Sequence, residues 1–136
     1  ARALSLAQKN RGSETARLSS LRDQLTKGLL SIPHSRLNGH STQRLPNNIN
    51  ISFNGLEGEA ILMRLDMLII AASAGSACTS GNLEPSHIIR ALGLGDEWTH
   101  SATRFTLGRG TTKAEIDFVV KEMPKIIADL RKLSPF

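Results

Sequence analysis

The strongest constraint on the fold is an apolar stripe close to the C-terminus of this 136-residue chain. Between Thr112 and about Leu133, apolar side chains recur every three or four residues, which is the period of one helix face. Thr112 and Glu115 have the spacing of a capping box, which closes a helix N-terminus. The stripe is formed by Ile116, Val119, Val120, Met123, Ile126, Ile127 and Leu130. Such a helix has to bury its stripe against other elements, although Pro124 lies inside it and usually kinks a helix.

The elements that could cover this stripe are predicted strands. In "NINISF" (48–53) and "SATRFTLG" (101–108), residues of opposite character alternate, as in a strand that is buried on one face. Arg104 falls on the polar side of the second strand. The segment "MLIIAAS" (67–73) is almost uniformly apolar and predicts a buried strand. The inward-facing residues of the two alternating strands are Ile49, Ile51, Phe53, Thr103, Phe105 and Leu107.

A long helix is predicted in the first third of the chain. It should run from Ser13 to near Ile32, because Pro33 follows and disfavours helical backbone in the residue before it. The first dozen residues show no periodicity, and we expect them to be loose. The apolar positions of the helix are Leu18, Leu21, Leu25 and Leu29.

Two shorter helices and a turn-rich connection complete the pattern. Residues 57–67 predict a short helix. In "LEPSHIIRALGLG" (83–95), Pro85 suits the first position of a compact helix and Gly93 suits the position after its end. The segment 34–48 is rich in turn formers.

Together these elements predict an α/β (α+β) fold, in which a small, mainly antiparallel sheet has helices packed on one side and is preceded by a long helix. We divide the chain into an N-terminal segment with a linking helix, residues 1–32, and a small C-terminal domain, residues 33–136.

Composition excludes several classes of protein. The formal charge is +5, but the chain has no tyrosine and one tryptophan, so a stacking platform for nucleic-acid bases is hard to build. No apolar run is long enough to span a membrane, and no secretory signal is visible. One cysteine excludes an internal disulfide and fits a reducing compartment, either the cytoplasm or an organelle with a reducing interior.

That cysteine, Cys78, has unusually small neighbours. They are Gly75, Ser76, Ala77, Thr79, Ser80 and Gly81. Glycine gives the backbone freedom, and small side chains let a thiol reach an incoming partner, so we expect a mobile loop within residues 73–87. This setting suits a nucleophile, but an inert cysteine in a flexible loop is an alternative that spacing does not exclude.

Other polar residues give weaker signals. Arg104 could bind a carboxylate with its guanidinium, although an arginine on a wet sheet face is the simpler interpretation. The four histidines have no metal-ligand spacing with each other or with Cys78. No glycine-rich segment matches a phosphate-binding loop.

The segment "GSACTSGNLEPSHIIRALGLGDEWTHSATRFTLGR" resembles the C-terminal part of group I cysteine desulfurases of the NifS/IscS type. The upstream segment "LPNNINISFNGLEGEAIL" resembles the strand and helix that precede the cysteine in that family. These are pyridoxal 5'-phosphate enzymes of the class V aminotransferase family with fold type I. The resemblance covers nearly the whole chain and is weakest in the first dozen residues.

The resemblance implies a reaction and roles for two residues. The family takes sulfur from L-cysteine as a persulfide and leaves L-alanine. Cys78 matches the nucleophile, and Arg104 matches the arginine that holds the substrate carboxylate. The long loop then carries the sulfur to an acceptor such as an iron–sulfur cluster scaffold protein. The resemblance implies no resident metal site. It leaves open that Cys78 transiently contacts an iron–sulfur cluster in a complex with the scaffold protein.

The chain also departs from the family. The lysine, histidine and phosphate-binding residues that hold the cofactor belong to a large domain that no segment here resembles. We therefore expect no cofactor-binding residue in this chain, no bound pyridoxal phosphate and no activity without that large domain and a second subunit of the homodimer.

Two other interpretations stay open. The chain could be a non-catalytic sulfur carrier or a module that docks on a scaffold protein, with Lys121, Lys125, Arg131 and Lys132 as a docking face. It could also belong to another class V enzyme, such as a selenocysteine lyase, although the long cysteine loop favours a desulfurase.

Overall fold

A computed structural model describes residues 2–74 and 86–133 of the chain. In chain order, the described elements are helix α1 (Arg2–Leu30), strands β1 (Ser35–Leu37) and β2 (Asn48–Phe53), helix α2 (Gly58–Asp66), strand β3 (Ser73–Ala74), the short helices α3 (His87–Arg90) and α4 (Asp96–Thr99), strand β4 (Thr103–Thr106) and helix α5 (Lys113–Leu133).

The four strands form one sheet in the order β1-β2-β4-β3, and every neighbouring pair is antiparallel. Because side chains alternate along each strand, Ile49, Ile51 and Phe53 all project from one face, and each is fully buried. They share a core with apolar residues of α1, α2 and α5. The predicted small antiparallel sheet with helices on one side is therefore confirmed.

Helix α5 is anchored at its start and along one face. Thr112 Oγ1 and the Thr112 backbone N–H both donate to Glu115 Oε2, and the Glu115 N–H donates back to Thr112 Oγ1, which confirms the capping box. Of the predicted stripe, five residues are buried and Val120 and Leu130 are partly buried. The helix continues through Pro124.

The prediction for the N-terminal residues was wrong. Helix α1 begins at Arg2, and residues 2–13 are exposed on all sides within the described chain. Apolar periodicity reports burial, so a helical segment that buries nothing shows no such pattern. The second half of α1 contributes Leu21, Leu25 and Leu29 to the core as predicted. The division of the chain at residue 32 remains a prediction.

The predicted buried strand at 67–73 was also wrong. The chain leaves α2 in a turn, in which Met67 is 74% exposed and Ile69 is 95% exposed. Ile69 has a φ of 60°, an uncommon backbone conformation for a β-branched residue. The strand that follows has two residues, Ser73 and Ala74. An apolar run by itself did not distinguish this exposed turn from a buried strand.

Three further differences concern short elements. Strand β1 lies inside the segment predicted as turns, and α4 was not predicted. In the predicted compact helix at 83–95, the described part is the four-residue α3, and Gly93 follows with the expected positive φ of 71°. The predicted mobile loop with Cys78, and Pro85, lie outside the described residues.

A search of the described residues for membrane-spanning segments finds no helix with the length and apolar character that a bilayer crossing requires.

Replacement of two α1 glycines by alanine should change the free energy of unfolding in opposite directions. A Cβ at Gly12 has nothing within 4 Å, so Gly12→Ala should raise the free energy of unfolding by about 0.5–1 kcal/mol through helix propensity. A Cβ at Gly28 would stand 2.5 Å from a Val120 methyl group on α5, so Gly28→Ala should lower it by about 1–3 kcal/mol. Urea unfolding of both variants checks the pair, and equal effects would contradict this packing of α1 on α5.

The capping box predicts a pH dependence. The hydrogen bonds from the Thr112 backbone N–H and then from its hydroxyl lower the pKa of Glu115. Because the folded pKa is depressed, the stability that this carboxylate supplies is present above the ordinary glutamate pKa of about 4.3 and is lost as the pH falls through the folded pKa. Thr112→Val should raise the Glu115 pKa part of the way back to its ordinary value, because the hydroxyl donor is lost but the backbone N–H of residue 112 still donates. Carboxyl titration by NMR measures the change, and an unmoved pKa would show that the hydroxyl contributes nothing.

Candidate functional site

The face of the sheet opposite the helices is polar, and Arg104 lies near its centre. In the antiparallel register, Arg104 on β4 is opposite Asn50 on β2 and opposite Ser73 on β3. Paired residues of neighbouring strands project to the same side of a sheet. The face therefore presents a row of hydrogen-bonding side chains across three strands, with a cation among them.

Arg104 has no partner within the described chain. Six of the described arginines are buried or partly buried, namely Arg17, Arg22, Arg44, Arg64, Arg104 and Arg131. The other five donate to oxygens of the chain at 2.6 to 3.4 Å. Across residues 2–74 and 86–133, no hydrogen bond or ion pair engages the Arg104 guanidinium. A partly buried guanidinium with five unused donors is suited to binding an anion.

A hydrogen-bonded cluster adjoins this arginine on β1 and β2. Asn38 Nδ2 donates to Asn50 Oδ1 at 2.7 Å and to Ser52 Oγ at 2.8 Å. Asn38 is 4% exposed and Ser52 is fully buried. Sequence analysis missed this cluster because it predicted turns where β1 lies. The signal that could have found it is the "SRLN" run, whose alternation pairs with that of "NINISF".

The cysteine segment begins beside this face. Strand β3 ends at Ala74, which is opposite Thr103, the residue before Arg104. Cys78 and its predicted loop neighbours Gly75, Ser76, Ala77, Thr79, Ser80 and Gly81 lie outside the described residues. The structure thus positions Arg104 and the point where the chain enters the cysteine segment.

Two clefts on the described surface do not include Arg104 among their lining residues. One, of about 770 Å³, is lined among others by His34, Glu57 and His100. The other, of about 730 Å³, lies beside the exposed turn at Ile69. His100 Nδ1 is 3.8 Å from Glu57 Oε2, and the described residues contain no group of three histidine, cysteine or acidic side chains that could hold a metal ion.

Comparison with known families gives the evolutionary relationship. The model of the family described as Aminotransferase class-V matches residues 2–119. The chain belongs to the class V aminotransferase family. Its sequence is 50% identical over 130 residues to "Cysteine desulfurase IscS" of Pasteurella multocida and 53% identical over 124 residues to "Cysteine desulfurase 2" of Trichormus variabilis.

The match covers most of this chain and a smaller part of each relative. It includes 96% of this chain and 32% of the Pasteurella protein, and 90% and 31% for the Trichormus protein. A solved structure described as a "NIFS-LIKE PROTEIN" superposes with a TM-score of 0.81 at 22% identity, over 95% of this chain and 32% of that one, which shows the shared fold. This class V aminotransferase chain therefore spans about a third of the length of these relatives.

The family depends on pyridoxal phosphate, so the lysines of this chain are of interest. They are Lys9, Lys27, Lys113, Lys121, Lys125 and Lys132, all on α1 or α5. Three of them are paired with carboxylates one helical turn away. Because both helices lie on the opposite side of the sheet from Arg104, no lysine of this chain fits the role of holding the cofactor at that face.

Arg104 and Arg22 should differ in their effect on stability. Arg104→Ala removes a side chain without a partner in the described chain, so we expect the free energy of unfolding to change by less than about 0.5 kcal/mol. Arg22 is buried and donates to Leu45 O and to Asp23, so Arg22→Ala should cost about 1–3 kcal/mol. Chemical unfolding of both variants makes the comparison, and a larger loss for Arg104→Ala would mean that this residue is structural.

Proposed function

We propose that this chain is the nucleophile-bearing C-terminal domain of a cysteine desulfurase. Cys78 takes sulfur from L-cysteine as a persulfide, L-alanine is left, and Arg104 binds the substrate carboxylate. The sulfur then passes to an acceptor such as an iron–sulfur cluster scaffold protein. A reducing compartment such as the cytoplasm suits this use of a lone thiol.

The observation that carries the proposal is the unpartnered guanidinium of Arg104. Every other buried or partly buried arginine in the described ranges donates to at least one oxygen of the chain, although Arg44 retains one buried nitrogen, Nη1, without a partner. An amino acid substrate brings a carboxylate, whose two oxygens match the fork of a guanidinium. Arg104 also lies on a strand, which fixes its position more precisely than a loop would.

The point at which the chain enters the cysteine segment supports the proposed role of Cys78. Cys78 follows Ala74 by four residues, and an extended chain spans at most about 3.3–3.6 Å per residue, so its Cα is within about 14 Å of the end of β3. Cys78 is therefore joined by a short segment to β3, the strand that pairs with Arg104 on β4. The relatives that bear the name cysteine desulfurase agree with a sulfur-transfer role.

The proposed reaction is balanced. The Cys78 thiolate attacks the sulfur of L-cysteine, the carbon–sulfur bond of the substrate breaks, a sulfur–sulfur bond forms on Cys78, and the carbon accepts a proton to give L-alanine. Bound pyridoxal phosphate supplies the electron sink that this cleavage requires. The residues of this chain bind the carboxylate and accept the sulfur, whereas the cofactor belongs to the large domain.

An open sheet face becomes a closed site when a second surface covers it. We therefore propose that the large domain of the same protein and a second subunit complete the site, and that residues 1–136 alone turn over no L-cysteine. The exposed first half of α1 is consistent with this, because such a helix segment needs further polypeptide to pack against.

Activity measurements on the full-length protein that contains this chain test the proposal. Cys78→Ala should lower alanine and sulfide production by at least about a hundredfold and should abolish the persulfide that mass spectrometry detects on the Cys78 peptide. Arg104→Lys should raise the KM for L-cysteine by about tenfold or more, because a lysine lacks the planar fork.

Two outcomes would count against this function. Full activity of Cys78→Ala would remove the nucleophile assignment. A wild-type protein that accepts persulfide from another enzyme, but forms none from L-cysteine, would favour the non-catalytic sulfur carrier. Selenocysteine as the preferred substrate would favour a lyase instead.

A further inference from the structure

Asn50 is the residue of β2 that stands directly opposite Arg104. The two side chains project from the same polar face, and opposite residues in an antiparallel pair have Cβ atoms about 4.5–5.5 Å apart. Asn50 is partly buried, as Arg104 is. A small ligand that contacts the guanidinium of Arg104 therefore lies within reach of the amide of Asn50.

The amide of Asn50 has a defined orientation because Asn38 holds one end of it. Asn38 Nδ2 donates to Asn50 Oδ1 at 2.7 Å, from the β1 side of the strand. Asn38 is itself fixed, since its backbone N–H donates to Asn50 O at 2.9 Å and Arg44 Nη2 donates to Asn38 O at 2.6 Å. Because Oδ1 accepts from Asn38, the Nδ2 group is the branch of the planar Asn50 amide that points away from that contact.

The Nδ2 group of Asn50 has no hydrogen-bond partner among residues 2–74 and 86–133. Two unpartnered donors of different kinds, one amide and one guanidinium, thus meet on one patch of the sheet. Neither can accept a hydrogen bond, so the complementary ligand is an acceptor with at least two oxygens and a negative charge.

We propose that Asn50 Nδ2 is a second donor to the substrate carboxylate that Arg104 binds, and that Asn38 is the residue that positions this amide. The proposal deepens the function above, on which it rests for the identity of the substrate. The fork of the guanidinium binds both carboxylate oxygens, and Asn50 donates to a remaining lone pair of one of them, which fixes the rotation of the substrate about its Cα–carboxylate bond.

Asn48 provides a matched control. It is the same residue type on the same strand and face, and it is also partly buried, but its partner across β4 is Thr106 rather than Arg104. An effect of Asn50 that arises from sheet packing alone should also be seen at Asn48.

The test is equilibrium binding to the full-length holoenzyme, measured by titration calorimetry with L-alanine and with ethylamine, which is L-alanine without its carboxylate. Asn50→Ala should weaken L-alanine binding by about tenfold to hundredfold, the range for a hydrogen bond to a charged group, and ethylamine binding by less than about twofold. Asn38→Ala should give a smaller loss that is likewise confined to L-alanine. Asn48→Ala should leave both affinities within about twofold.

Equal losses for the two ligands, or no loss in Asn50→Ala, would overturn the proposal, as would a wild-type enzyme that binds ethylamine as tightly as L-alanine. If Asn50→Ala does not fold, Asn50→Ser keeps a short polar group and serves in its place.

The test of Asn50 is separable from the test of the desulfurase assignment. If the enzyme binds L-alanine through Asn50 but releases no sulfur from L-cysteine, only the desulfurase assignment is refuted. If the enzyme releases sulfur and Asn50→Ala binds L-alanine as tightly as the wild type, only the role of Asn50 is refuted.

Discussion

The structure depends on the burial of one face of a four-stranded antiparallel sheet. Ile49, Ile51 and Phe53 are sealed by α1, α2 and α5, and the side-chain alternation of the same strands then forces their polar residues onto the other face. A one-residue shift in register would exchange the two sets, so the hydrophobic core also determines which residues face the candidate site. The position of Arg104 is therefore a consequence of packing on the far side of its own strand.

The polar face combines fixed and unfilled hydrogen-bonding groups. The backbone of Asn38 is hydrogen-bonded, and its side-chain Nδ2 donates to two acceptors. The Arg104 guanidinium and Asn50 Nδ2, in contrast, have no partner in the described chain. A site is preorganised when its donors are held by surrounding contacts before the ligand arrives. The face has this property on the β2 side of Arg104, and the cysteine segment begins on the β3 side.

Sequence reasoning succeeded where burial produces a regular pattern and failed where it does not. The stripe of α5 and both alternating strands were predicted because each reports a face that is in contact with the core, and the capping box was predicted from the spacing of its two exposed residues. Residues 2–13 of α1 are exposed, and the turn at 67–69 is apolar but exposed, so neither follows that rule. Strand β1 has three residues, which is too short for alternation to be distinguished from a turn.

The sequence by itself determined the family and the fold class, because motifs and periodicity are local properties of the chain, and its resemblance to the family is the source of the proposal for Cys78 and Arg104. Tertiary structure decided which groups surround Arg104. Asn38, Asn50 and Ser73 lie 66, 54 and 31 positions before it, and pairing of the strands brings them into one row. That Arg104 is left without a partner likewise follows from the three-dimensional arrangement, since a hydrogen bond depends on distance in space and not on separation along the sequence.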